Sequence, residues 1–375
     1  MGAAKIRPAS DPPFPATRGG LPHELGTGRL EPGRSNGRPQ KILRIDATRI
    51  SATLLGRLLV GSYITGQDRV LVVARGGLTP AQRSRTHRTA QRLLGTSVVE
   101  DRTEGVEVQN FIDPGKHELP RLLHRVVELL DGELRACRSV LVHGDASELE
   151  TAEELEEEVD QLYLLMARQL FLSSDDPRIA RDIDVPSHQL QIGDRLVAKV
   201  LEVTGDLVHA AAVELRAHGR ALQRLPAGVT AELDLRVERL RVRLAETMAA
   251  FDSLSVASAN ATLNRIVDAL HKDASLGPRL ARRASDPEVA ASTQRVLCNL
   301  AMGLEMLVIV NEVTINRGVE PELVALTGAS GLLPITGSGS KALPKEGSVS
   351  FVASLLGEEV PGGRSRPGSV ARPLH

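Results

Sequence analysis

Between Asp145 and Asp160 the chain carries nine carboxylates in sixteen residues, with no lysine or arginine among them. Most of these acids read as a solvated helix face. Glu156 and Asp160 read differently, because they flank the apolar positions Leu155, Val159 and Leu162. On a helix turning about 100° per residue they border the apolar stripe rather than oppose it. At i and i+4 their side chains share one face and can share a cation. Carboxylate oxygens suit hard and borderline divalent metals. The spacing recurs at Glu202 and Asp206. There the pattern Leu196, Val200, Val203, Leu207, Ala211 places the pair on the polar side of its helix, at the surface. Other catalytic signals are poor. Glu214 and His218 are four apart, not the three of the inward-facing Glu-x-x-His pairs of di-iron bundles, so an oxidase or ferritin-like centre is not expected. No G-x-S-x-G, P-loop or dinucleotide fingerprint occurs. Gly337-Ser-Gly-Ser follows no strand and reads as linker. His87, His117, His124 and His143 read as surface or satisfied polar residues. The chain is not expected to be an enzyme.

The elements that must position these acids are helices. Leu119, Leu122, Val126, Leu130, Leu134, Cys137 and Leu141 make one stripe, and Leu155, Val159, Leu162, Met166 and Leu170 a second. Leu196 to Ala211 is a third. Val237, Leu240, Leu244, Met248 and Phe251 make a fourth; Val256, Ala259, Leu263, Val267 and Leu270 a fifth; Leu297, Leu300, Leu304, Leu307 and Asn311 a sixth. Breaks fall at Asp145, Asp176-Pro177, Gly219, Pro226, Gly277-Pro278 and Asp286-Pro287. Upstream the pattern predicts a small α/β unit in the order β-α-β-α-β-β. It has strands at 41–46 and 69–74, a helix over 50–63, a second helix from the Thr79 N-cap and Pro80 to Gly95, and a hairpin around Glu104-Gly105.

The 375 residues carry 46 basic and 47 acidic side chains. So even a balance argues against a surface devoted to nucleic acid or anionic membrane. Apolar residues make up 42%, yet only two Tyr and five Phe are present and no Trp. That fits packed helices better than a β-sandwich, and it weakens any base-stacking platform. Cys137 and Cys298 lie in helical apolar patterns and read as small buried hydrophobes. No clean apolar run approaches the ~20 residues of a membrane span and no apolar signal core opens the chain, so a cytoplasmic protein without membrane insertion is expected.

Val159-Asp160-Gln-Leu162 recurs as Val267-Asp268-Ala-Leu270, Leu201-Glu202 as Leu304-Glu305, and Ser174-Asp-Asp-Pro177 as Ser285-Asp-Pro287. Three matches in the same order point to a duplicated three-helix unit. The expected organisation is a disordered leader over 1–40, the α/β domain over 41–112, a first three-helix repeat over 113–222, a second over 223–320 and a disordered tail over 321–375. The fold class is mainly α: two tandem three-helix bundles behind a small α/β unit.

Glu156-Glu-Glu-Val-Asp160-Gln-Leu-Tyr163, running on to Ala167-Arg-Gln-Leu170, resembles the (Asp/Glu)-x-x-x-Asp helix of PhoU proteins, regulators of phosphate uptake. Asp194-Arg-Leu-Val-Ala-Lys-Val-Leu-Glu202-Val-Thr-Gly-Asp206 is similar to that family's third helix. Val60 to Asp68, Gly77-Leu-Thr-Pro80, Leu94-Gly95, Val98-Val-Glu100 and Gln109 to Asp113 resemble the α/β segment that precedes the bundle in archaeal members. The AbrB-like DNA-binding module with which those often begin has no counterpart before residue 60. The first repeat departs from the family at Val203 and Leu207. In the second, Asn264 and Ile309 replace acids, leaving Asp268 and Glu305 as remnants. The resemblance implies a non-enzymatic adaptor that damps the phosphate transporter by contacting its ATPase, with a sensor kinase as a further partner and a homodimer as its form. It also implies a divalent metal or iron on Glu156, Asp160, Glu202 and Asp206.

Two other readings stay open. One is a carboxylate metal-binding helical protein with no transport role. The other is a transcription regulator that meets DNA through Arg83, Arg85, Arg88 and Arg92, whose 2-3-4 spacing puts several on one helix face; a solvated helix is the preferred reading of those arginines, and DNA is not an expected partner.

Overall fold

The computed structural model describes residues 6–8, 40–222, 224–274 and 286–319. Most of the expected leader, the tail over 321–375 and the break at Gly277-Pro278 lie outside them. Within the expected leader, Ile6–Pro8 forms a strand, β1. The order β-α-β-α-β-β then follows as read: β2 (Ile42–Asp46), α1 (Ala52–Ile64), β3 (Arg69–Val73), α2 (Pro80–Arg92), β4 (Thr96–Arg102) and β5 (Gly105–Asn110). The sheet order is β1-β2-β3-β5-β4; β2 and β3 run parallel and every other pair antiparallel. Thr79 and Gln82 cap α2 reciprocally, and Pro80 opens it without losing a hydrogen bond. Ile45, Leu55, Leu59, Val72, Val106 and their neighbours form a small core of their own.

The rest is helical: α3 (Leu119–His143), α4 (Ala152–Asp175), α5 (Pro177–Asp182), α6 (His188–Leu222), α7 (Ala227–Asp252), α8 (Val256–Ala274) and α9 (Pro287–Gly318). The short α5, capped by Asp176, occupies what the sequence marks only as a break. Conversely Gly219 is no break. It lies inside α6, where a Cβ would meet Val140 Cγ1 at 2.7 Å, so the glycine lets α6 approach α3.

α3, α4 and α6 pack on one another, as do α7, α8 and α9; α6 against α9 and α3 against α7 join the sets. One continuous apolar core runs through all six long helices, from Leu119 to Val313. The α/β unit and the helices belong to one compact unit over 1–332; a second unit over 333–375 lies outside the described residues. The third stripe is shifted from its expected register. Leu196 is 44% exposed, whereas Val197, Ala198, Leu201, Val208 and Ala212 are buried. α6 is packed on two sides, so it buries a broad arc and its apolar spacing does not define a single face. Cys137 is buried as expected, but Cys298 is exposed. It faces a cleft of about 270 Å³ among α7, α8 and α9.

By length and composition alone α9 could cross a membrane, and half of its most apolar stretch is buried inside the fold. Run length alone does not register this, because the helix's few charges are spread along it. Arg317 at its end donates to Asp194 Oδ1 (2.6 Å) and the Leu190 carbonyl (2.9 Å) on α6, tying the two longest helices together.

A buried arginine fixes the α/β unit to the helices. Arg168 on α4 is fully buried. It donates to the carbonyls of Tyr63 (2.7 Å) and Gln67 (3.0 Å) and to Asp68 Oδ1 (3.2 Å), and lies 5.1 Å from the centre of the Tyr63 ring. Gln169 Nε2 donates to the Pro114 and His117 carbonyls, both at 2.7 Å. α4 is thereby fixed to the turn between α1 and β3 and to the segment that leads into α3.

Candidate metal centre

Three of the four predicted first-repeat ligands meet. Glu156, Asp160 and Asp206 each offer a carboxylate oxygen, and those oxygens all lie within 4.8 Å of one another. α4 supplies two from adjacent turns and α6 the third. Helix approach makes this close: at Gly205 a Cβ would sit 3.1 Å from Val159 Cγ1 and 3.3 Å from Leu130 Cδ2. Only glycine next to Asp206 lets α6 lie so tightly on α4 and α3.

The electrostatics are those of an acid cluster only partly offset by nearby cations. Glu156 is raised above the ordinary carboxylate range, first by burial and then by Asp160. Asp206 is raised by burial and again by Asp160. Asp160 has one cationic partner, Arg92 Nη2 on α2, at 2.7 Å. Glu202 was expected at the surface. It is buried, because α6 presents a broad arc to its neighbours. It pairs with Lys199, which lies 5.0 Å over the Tyr163 ring. Burial still raises Glu202 while Lys199 opposes the shift. Glu202 therefore stands beside the trio, already holding a cation.

Sequence reasoning passed over two residues. Glu133 on α3 is 2% exposed. Burial, and then the nearby Glu156 charge, pushes its carboxyl up to about 8. Its Oε1 lies 3.3 Å from His209 Nδ1, within ion-pair range, yet neither buried atom makes a hydrogen bond. Both residues left a trace. Glu133 falls at a core position in the spacing Val126, Leu130, Glu133, Cys137, Val140, and Asp206-Leu-Val-His209 has the i, i+3 acid-to-imidazole spacing that was sought only at Glu214.

The second-repeat remnants do not assemble. Asp268 and Glu305 are exposed, and among the described residues neither belongs to a group able to hold a metal. Glu305 borders the cleft beside Cys298, where the inward acid is Asp273. That carboxylate accepts from Arg236 (3.0 Å) and Arg239 (2.7 Å).

Of the four candidate DNA-contacting arginines, Arg83 pairs with Asp101, Arg92 pairs with Asp160, and Arg85 lies across Gly56. Arg88 is exposed. They do not form an open basic face.

The first-half residues fit a cation: oxygen donors converge from two helices, acids repel one another there, and buried polar atoms beside them lack partners. Comparison with protein-family models, curated proteins and solved structures finds no match for this chain.

Proposed function

We propose that the chain is a non-enzymatic adaptor that regulates phosphate uptake, built as two tandem PhoU-like three-helix bundles with a divalent metal or iron centre in the first. In this reading it acts in the cytoplasm, as a homodimer. It docks on the phosphate transporter's ATPase and on a sensor kinase, and the metal biases which of two states it holds. The observation that supports it is a coincidence of two independent facts. The motifs that resemble the family place acids at 156, 160 and 206, and the fold brings their oxygens within 4.8 Å between the second and third long helices. The test is capture with the tagged chain from cells grown in abundant or scarce phosphate. Enrichment of the transporter ATPase that changes with phosphate is the expected result; its reproducible absence in both conditions overturns the adaptor role.

A second reading is favoured by the same convergence of carboxylate oxygens from Glu156, Asp160 and Asp206, which says nothing of transport. It is a metal-binding protein with no transport partner. Metal that survives dialysis, depends on Asp160 and Asp206, and is accompanied by no transport component in the capture selects this reading.

A further inference from the structure

We propose that Glu133 and His209 form a second cation position beside the Glu156–Asp160–Asp206 trio, making the first helical half a two-ion carboxylate–imidazole site for transition metals such as Mn²⁺ or Zn²⁺ rather than for Mg²⁺ or Ca²⁺. This rests on the metal-binding part of the proposed function. It adds residues outside the motifs that carry the family resemblance.

The argument begins with burial. The Glu133 side chain is only 3% exposed, and its Oε1 has no hydrogen-bond partner. His209 Nδ1, 3.3 Å away, is also buried without one. Burying a polar group without a hydrogen bond is unfavourable, and burying a charge is more so. The two atoms meet at ion-pair distance without hydrogen-bond geometry, which leaves a lone pair on each open to a cation beside them. A metal ion accepts both, because a carboxylate oxygen and an imidazole nitrogen both donate lone pairs to it.

The neighbourhood supports this assignment. The Glu156 charge acts on Glu133, and His209 acts on Asp206, so the pair and the trio sit in one field. The donors come from three helices: Glu133 on α3, Glu156 and Asp160 on α4, Asp206 and His209 on α6. Asp206 and His209 are three apart on α6, one helical turn, so they can serve adjacent ions. Metal choice follows from the nitrogen donor. Imidazole suits Zn²⁺ and Fe²⁺ best, Mn²⁺ favours carboxylate oxygens such as those of the trio, and Mg²⁺ and Ca²⁺ take oxygen ligands almost exclusively.

The test is metal stoichiometry on the full chain after dialysis against Mn²⁺, Zn²⁺ or Mg²⁺, with a Co²⁺ absorption spectrum as a report on nitrogen ligation. Wild type is expected to hold two Mn²⁺ or Zn²⁺ per chain and to bind Mg²⁺ at least tenfold more weakly. Glu133→Gln and His209→Gln are each expected to retain one ion, and His209→Gln to alter the Co²⁺ bands. Melting curves of both variants verify folding, and the substitutions lie on different helices. One ion in wild type, lost in Asp160→Asn but unaffected in both new variants, overturns this inference and leaves the metal-binding reading standing. No retained ion in wild type overturns both.

Discussion

In the helices α3, α4 and α6, the carboxyls of Glu133, Glu156, Glu202 and Asp206 are all held above their ordinary range, with burial the first cause in each. In the second half the acids meet guanidinium groups. Asp273 lies between Arg236 and Arg239, Glu246 between Arg243 and Arg265, and Glu238 accepts from Arg138 and Arg241. Glu238 is accordingly held below the usual range, chiefly by its hydrogen bond from Arg241. Glu312 on α9 is an exception, raised by burial alone. The two halves thus share a helical plan and one apolar core but differ in the source of positive charge. The second-half acids are met by guanidinium groups, one of them from α3 (Arg138). The first half leaves a concentrated negative site that a dissolved cation can fill. Two helical sets can share one core and still differ in charge, because the stripes that build the core and the acids that border it are different residues.

The largest effects should ignore the difference between halves. Leu162 on α4 and Leu240 on α7 are both buried in the common core. Leu162→Asp and Leu240→Asp should each lower stability by about 4 kcal/mol or more, since each buries an unpaired charge. Calorimetry should show one cooperative transition for wild type and for both variants. Two separated transitions would break the picture of a single core. Glu157→Ala, on the exposed face of α4, should shift stability by less than about 0.5 kcal/mol.

The next effect should appear in the first half alone. In the folded chain burial pushes the Glu133 carboxyl up to about 8 from its ordinary value of 4.5. An acid whose folded pKa is raised adds stability that is fully present below the unfolded value. That stability is lost as pH rises through the folded one. Kept free of metal by a chelator, wild type should therefore lose stability between about pH 4.5 and pH 8, by an amount on the order of 3–5 kcal/mol. Glu133→Gln keeps the shape and cannot ionise, so its melting temperature should vary much less over that window. A pH profile unchanged by the substitution would place the titration elsewhere. Added metal should reverse the slope, because ligands must be deprotonated to bind.

How much of this was legible in the sequence differs by level. The α/β order and the six long helices follow from period and caps, because each of those signals is local. Thr79 caps α2 as read, and Asp286-Pro287, read as a break, caps α9. The register of α6 was not legible. It packs against α3, α4 and α9 at once, and a helix buried on several sides has no single stripe to find. That one gap misplaced Glu202 and hid the approach at Gly205. Glu156, Asp160 and Asp206 were identifiable because their spacing is periodic. Glu133 and Arg168 were not, since a charged residue in a core stripe looks like a surface residue in the wrong phase until its neighbours are known. Cys298 fails for the opposite reason: its helix is apolar on more than its packed face, and this position faces the open cleft.

The smallest effect sharpens the contrast most. Arg92, at the end of α2, holds Asp160 at 2.7 Å and is about half exposed. A surface ion pair of this kind is worth about 0–1 kcal/mol, so Arg92→Gln should barely move the melting temperature. Its guanidinium nonetheless competes with any metal for the same carboxylate. Removing it should tighten Mn²⁺ binding to the first half by roughly two- to fivefold at low ionic strength, and the gain should shrink toward nothing at 1 M salt, where the Debye length is about 3 Å. Arg265→Gln, which removes a partner of Glu246 in the second half, should leave Mn²⁺ affinity unchanged. Titration calorimetry on the two variants at both salt concentrations reads this directly. A loss of affinity in Arg92→Gln would mean that the α/β unit orients Asp160 for the metal, and the side-chain cation would then assist the dissolved one instead of opposing it.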